Sequence, residues 1–217
     1  MKKTLVAALA AGFMLLAPAS QDAFAQNVQV QGTPAEAMSA FNRGEYVKAR
    51  TLAAPLAEAG NPDAMLIMGR LADNGAGQPQ APDEASRWYR KAADAGSAEG
   101  MLRMAYCCRT GSGMPKDESA WLYWTEKAAQ AGNAEAQLNL ANQLMRGDIV
   151  KKDPGNAFQW GLQAANQGYG PAMLFVGSCY ASGAGIDRDD TLAAQWYARA
   201  EKLGLKPDHN VFVPAKE

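Results

Sequence analysis

The sequence predicts an all-α chain built as a solenoid of stacked helical hairpins. Three observations carry that prediction. Trp88, Trp124, Trp160 and Trp196 stand 36 residues apart at every step. Gly60, Gly96, Gly132, Gly168 and Gly204 keep the same step, as do Gly75, Gly111, Gly147 and Gly183. Leu66, Leu102, Leu138 and Leu174 repeat it again, with Ala92, Ala128, Ala164 and Ala200 completing the frame. A period of this length marks one supersecondary unit repeated along the chain. Neither helix of such a unit buries its apolar face alone; stacking the units does.

In chain order, the first 25 residues read as a secretory leader. Lys2 and Lys3 precede a stretch, 4–17, without a charge, and Ala23-Phe24-Ala25 fits the small-x-small pattern before cleavage ahead of Gln26. The apolar run falls short of the ~20 residues that span a bilayer, and Pro18 ends it. No second run of that length follows, so no transmembrane segment is expected after cleavage. A short leader of this type points to a bacterium and to the periplasm, with secretion as the alternative.

A shortened unit comes next, at 33–60. Its first helix is expected over 33–44, and Glu45-Tyr46 leads into a second that carries Ala49, Leu52 and Ala53 in register with Ala85, Trp88 and Tyr89. It lacks the glycine-bearing loop and reads as a terminal cap. Four full units follow, at 61–96, 97–132, 133–168 and 169–204. In the first of them helix A is expected over about 63–74, with Met65, Leu66, Met68 and Gly69 on one face. Helix B begins near Asp83 and carries Ala85, Trp88, Tyr89, Ala92 and Ala93 as its apolar stripe. Asp117, Asp153 and Asp189 precede the later B helices, where a carboxylate caps free backbone N–H groups. Gly96, Gly132, Gly168 and Gly204 are expected just past the helix ends, where a left-handed backbone suits a residue without a Cβ. Gly69 and Gly177, replaced by Ala105 and Ala141, are expected where two helices touch. The tail, 205–217, leaves the frame at Pro207 and Pro214; Val211-Phe212-Val213 either covers the last apolar face or is offered to a partner.

Composition narrows the chemistry. The 217 residues hold 21 basic and 22 acidic side chains, a formal charge of −1, which excludes a nucleic-acid binder driven by bulk positive charge. With 48 % hydrophobic residues the chain is not disordered throughout. The single histidine, His209, makes no Ser-His-Asp or zinc arrangement. The Gly-x-Gly pieces follow helices rather than strands and lack a phosphate-binding context. Asp187, Asp189 and Asp190 read as capping and solvated residues rather than a cation site. Cys107 and Cys179 fall at equivalent positions two units apart, too far for a disulfide, and Cys107-Cys108 would close a strained ring. The three cysteines read as small buried residues, with a mixed or intermolecular disulfide as the alternative.

The frame closely resembles the Sel1-like repeat, a relative of the tetratricopeptide repeat. The last full unit carries most of the resemblance, through Ala172, Gly177, Tyr180, Gly183, Gly185, Ile186, Asp189, Ala193, Trp196, Tyr197, Ala200 and Gly204. The middle units keep Gly111, Gly113, Asp117, Trp124, Lys127, Ala128, Ala129 and Gly132, then Gly147, Asp153, Ala157, Trp160, Ala164, Ala165 and Gly168. The first keeps Gly75, Gly77, Ala85, Trp88, Tyr89, Lys91, Ala92, Ala93 and Gly96. The resemblance implies a right-handed superhelix with helices A on the concave face and helices B outside. It also implies a scaffold that holds proteins or peptides, exported bacterial members being linked with envelope assembly, export and host interaction. A cysteine-rich secreted subgroup is described as binding penicillin or cleaving β-lactams. It pairs cysteines within each repeat, and Cys107, Cys108 and Cys179 do not make that pattern.

Departures from the frame give the candidate binding residues. Trp121 stands where the other full units have Ala85, Ala157 and Ala193, with Tyr123 nearby; such aromatics are either local core or an interface anchor. Arg70, Tyr106, Asn142 and Ser178 share one variable position on helices A. The third unit has Leu144 and Ile149 in place of the tyrosine and the second loop glycine, and adds Lys151-Lys152. The expected function is non-catalytic: a scaffold that binds a protein or peptide in the cell envelope, with no cofactor, metal or catalytic residue assigned. The alternatives are a cell-wall or β-lactam hydrolase of the cysteine-rich type and a peptidoglycan or saccharide-binding module.

Overall fold

A computed structural model describes residues 32–206 and folds them into ten α-helices, with no strand among the described residues. The leader, His209 and Val211-Phe212-Val213 lie outside the described residues. A short hairpin, α1 (Pro34–Asn42) and α2 (Tyr46–Glu58), precedes four longer ones. These are α3 (Pro62–Asp73) with α4 (Pro82–Asp94), α5 (Ala98–Thr110) with α6 (Glu118–Gln130), α7 (Ala134–Arg146) with α8 (Pro154–Asn166), and α9 (Gly170–Ser182) with α10 (Asp190–Glu201). Each helix packs on the next in sequence, and α3 also touches α1 and α5. The result is an all-α solenoid of helical hairpins.

Helix boundaries follow from local chemistry. Thr33 and Glu36 form a reciprocal capping box: the Glu36 N–H donates to Thr33 Oγ1 at 3.2 Å and the Thr33 N–H to Glu36 Oε2 at 2.7 Å. Asn61, Ser97 and Asn133 cap α3, α5 and α7 by accepting from the backbone three residues on, at 2.9, 3.1 and 2.9 Å. Asp117, Asp153 and Asp189 do the same for α6, α8 and α10 at 2.9, 3.0 and 2.9 Å. The first full unit differs. Its N-cap is Ala81, which has no side-chain acceptor, and Asp83 lies inside the first turn.

Glycine sets the corners between hairpins. Gly96, Gly132 and Gly168 all adopt φ of +89° just beyond a helix, a conformation that a Cβ disfavours. Gly96 N–H donates to Ala93 O and Ser97 N–H to Ala92 O, closing the end of α4, and the bonds recur at the two later corners.

Small and large residues alternate through the core. Helix α3 is buried nearly all round, from Ala64 through Gly69 and again at Leu71 and Ala72, rather than along one face. Trp124 is buried and Trp88, Trp160 and Trp196 half-buried, each beside alanines of its hairpin or its neighbour. A Cβ at Gly69 would lie 2.5 Å from the Tyr89 ring, and one at Gly177 would lie 2.6 Å from that of Tyr197. The two glycines therefore sit where helix A meets the aromatic of helix B.

Candidate functional site

The variable position on helices A places Arg70, Tyr106, Asn142 and Ser178 on α3, α5, α7 and α9. Arg70, Tyr106 and Asn142 are half-buried. Ser178 is buried, and Tyr197 shares a hydrogen bond with it, so the last unit closes over this position. The first three units leave polar side chains partly exposed there, and two of them, Arg70 and Tyr106, each reach a carboxylate on the next helix A. Glu99 is the first hub: Arg103 donates to it at 2.6 Å, Asn133 Nδ2 donates at 3.2 Å, and Arg70 lies 3.6 Å away. Glu135 is the second, accepting from the Tyr106 hydroxyl, which also bonds Asn139.

Electrostatics tie these groups together. Burial works against the charge on Arg103, and the Glu99 carboxylate more than offsets it, so the guanidinium stays firmly protonated. The Tyr106 hydroxyl is held above its ordinary range by burial and by its bond to Glu135. Tyr89 extends the cluster by donating to Asp73 Oδ2 at 3.3 Å. The network holds acidic, basic and neutral hydrogen-bonding groups close together. Glu99, Arg103 and Glu135 did not emerge from the sequence. They stand at frame positions filled elsewhere by Asp63, Ile67 and Asn139 or by Pro171 and Phe175, and the signal available was that polar-for-apolar exchange at Arg103.

Trp121 and Tyr123 do not come together. Two residues apart on α6, they diverge by about 200° around the helix. Trp121 is 5 % exposed, packed in the core with the Arg109 guanidinium 5.8 Å from its ring centroid. Tyr123 is 51 % exposed; its ring meets that of Trp124 edge-on and lies under Lys127. Neither belongs to the row on helices A.

The cysteines are buried and unpaired. Burial pushes the Cys107 thiol up to about 11 and the Cys179 thiol to about 12, and raises Cys108 as well. A thiol held neutral in this way is a poor nucleophile and a poor metal ligand. Among the described residues no group of three or more His, Cys, Asp or Glu side chains is placed to hold a metal ion, and no helix is long and apolar enough to cross a membrane.

The same architecture occurs in solved structures. A Sel1 repeat protein from Oxalobacter formigenes is 34 % identical, with a TM-score of 0.62 over 73 % of this chain and 61 % of that one. The c5321 protein, a protective antigen of uropathogenic Escherichia coli with an SLR fold, is 25 % identical, with a TM-score of 0.66 over 80 % of this chain and 41 % of that one. This chain thus spans less than two thirds of the length of either. A putative Sel1 repeat protein from Klebsiella pneumoniae, 21 % identical with a TM-score of 0.51 over 82 % of this chain and 92 % of that one, shares the fold. No curated protein sequence matches. The Sel1 repeat profile matches four times in succession, at residues 62–97, 98–133, 134–169 and 170–205. The chain therefore belongs to the Sel1 repeat family.

Proposed function

We propose that the chain is a non-catalytic adaptor, exported through its leader, that holds a protein or peptide partner in the bacterial cell envelope along helices A. The observation that carries this reading is the polar row Arg70, Tyr106 and Asn142, in which Arg70 reaches Glu99 and Tyr106 reaches Glu135 across consecutive hairpins while Asn142 is half-buried on the next. Variable side chains on an invariant frame are how a repeat scaffold acquires selectivity without changing its fold. The chain's near-neutral charge puts that selectivity in local groups rather than in long-range attraction. The leader supports export, and the buried thiols together with the scaffold fold support binding rather than bond-breaking.

In-cell crosslinking with mass spectrometry tests the reading. The native protein is compared with Arg70→Ala/Asn142→Ala, and cell fractionation reports its compartment. Envelope proteins crosslinked to the native chain are expected to fall at least fivefold in the double variant at equal protein level. Unchanged crosslinks would remove the row from the interface. A chain that stays in the cytoplasm would overturn the envelope assignment.

A further inference from the structure

The junction between the second and third full units departs from the others at three positions, and all three line one cavity. The first departure is in the loop. A Cβ at Gly113 would lie 2.1 Å from the carbonyl oxygen of Pro82, and one at Gly185 would lie 2.0 Å from that of Pro154. Pro82 and Pro154 open α4 and α8, so in those units the loop glycine rests directly against the start of the preceding helix B. In the third unit the same frame position is Ile149, and the preceding helix B, α6, opens at Glu118. A β-branched residue cannot make so close an approach. A cavity of about 410 Å³ lies there, lined by both Glu118 and Ile149.

The other two departures face the same space. Trp121, in place of three alanines, forms an aromatic wall. Gln143 stands where the other units bury Leu71, Cys107 and Cys179. It is 8 % exposed, lines the cavity, and no described residue hydrogen-bonds its side-chain amide. The core covers its aliphatic stem, while the amide nitrogen and oxygen keep access to solvent and are free to bond a ligand. Around the mouth, Arg109, Lys116 and Arg146 are matched by Asp117, Glu118 and Asp148, and none of the six makes an ion pair within 4.0 Å.

We infer that this cavity binds a peptide segment of a partner, taking one apolar side chain against Trp121 and Ile149 while Gln143 pairs with the adjoining main-chain amide. The Gln143 Nε2 group donates to a peptide carbonyl and its Oε1 accepts from a peptide N–H. The balanced charges at the mouth give no preference for a phosphate or another polyanion. Only 5 % of Trp121 is exposed, which allows contact with one apolar side chain but leaves too little of its face for a sugar ring to stack on. The inference rests on the reading of the chain as a holder of peptide or protein, but its residues are separate from the row on helices A.

The test is to pan displayed random heptapeptides on the purified chain, counter-selecting against Gln143→Leu, and to titrate the enriched peptides by calorimetry. Peptides sharing an apolar residue are expected to enrich. They should bind Gln143→Leu and Ile149→Gly at least tenfold more weakly and Glu58→Ala, an exposed residue outside the cavity lining, with unchanged affinity. In the unmodified protein they should move the side-chain amide resonance of Gln143, a readout that holds even if a variant fails to fold. The inference is overturned if no peptide enriches over the counter-target, or if enriched peptides bind all variants equally. It is also overturned if N-acetylglucosamine oligomers move the Gln143 resonance and peptides do not. Loss of peptide binding in Arg70→Ala with Gln143→Leu unaffected would assign the peptide to helices A instead.

Discussion

Gly69 and Tyr89 are one packing decision written at two positions. Where helix B carries tyrosine after the repeat tryptophan, as at Tyr89 and Tyr197, helix A carries glycine opposite; where it carries Thr125 or Gly161, helix A carries Ala105 or Ala141. The structure gives the reason, a methyl-sized conflict of 2.5–2.6 Å with the ring edge. Gly69→Ala is therefore expected to cost about 1–3 kcal/mol, the usual range for overpacking a full core. Gly177→Ala should cost less, because Tyr197 is half-buried and can swing outward whereas Tyr89 is 2 % exposed and cannot. Combining Gly69→Ala with Tyr89→Thr recreates the pair in the second unit, and urea denaturation should find the double variant less destabilised than the two single costs added together. Additive costs would mean that the two positions are independent. The cysteines make a second residue-scale prediction. Cys179 ionises in the fold only near about 12, whereas an unfolded thiol does so from about 8.5 upward. Stability from its burial is complete below that lower value and is lost as pH rises towards the folded one. At pH 8, Cys107 and Cys179 should resist alkylation by iodoacetamide in the native protein and react in 6 M guanidinium; rapid labelling of the native thiols would place them at the surface.

Among the helices, caps decide how sharply each begins. Asp189 accepts from the Leu192 N–H, and Asp189→Ala should lower stability by about 1 kcal/mol through loss of that bond. The reverse change is available in the first full unit. Ala81 has φ −132° and ψ 75°, close to the φ −146° and ψ 83° of Asp153, but has no acceptor to offer. Ala81→Asp should therefore raise stability by about 0.5–1 kcal/mol in thermal denaturation, and no gain would show that Pro82 already satisfies that helix end. Helix positions, corner glycines and the close approach of helices at Gly69 and Gly177 were legible in the sequence, because each depends on residues a few positions apart or on the frame alone. That the aromatic met there is Tyr89 or Tyr197 required the packing. The caps on helices A at Asn61, Ser97 and Asn133 are equally local. The binding surfaces were less legible. Trp121 and Ile149 stood out as departures, but whether they met, and whether Gln143 joined them, depended on how neighbouring hairpins stack. Tyr123 shows the opposite case: it is close to Trp121 in sequence and points elsewhere.

At the scale of the molecule, a solenoid's stability is distributed over its interfaces, each unit leaning on the next. The first hairpin is thus more than a leader into the repeats. Ile67 and Leu71 of α3 are fully buried and share a core with Ala37, Ala40, Ala49, Ala53 and Ala57 of α1 and α2. Without those helices, the outer side of α3 would face water. Deleting residues 33–60 is therefore expected to do damage out of proportion to its length: dye binding to exposed apolar surface, a lower melting temperature, and loss of protection from hydrogen exchange first in α3 and α4. An in-register deletion of 134–169 removes more chain but restores the frame. Its new neighbours present the same alanines and tryptophans to one another, so it should stay cooperatively helical, with a melting temperature lowered by the loss of one unit and its interface. The two deletions separate frame from length. If the shorter one is tolerated and the longer one unfolds the chain, stability resides in the particular junctions of the third unit rather than in the repeating frame. In that case the cavity beside Trp121 and Gln143 would have to be reconsidered as part of what holds the stack together.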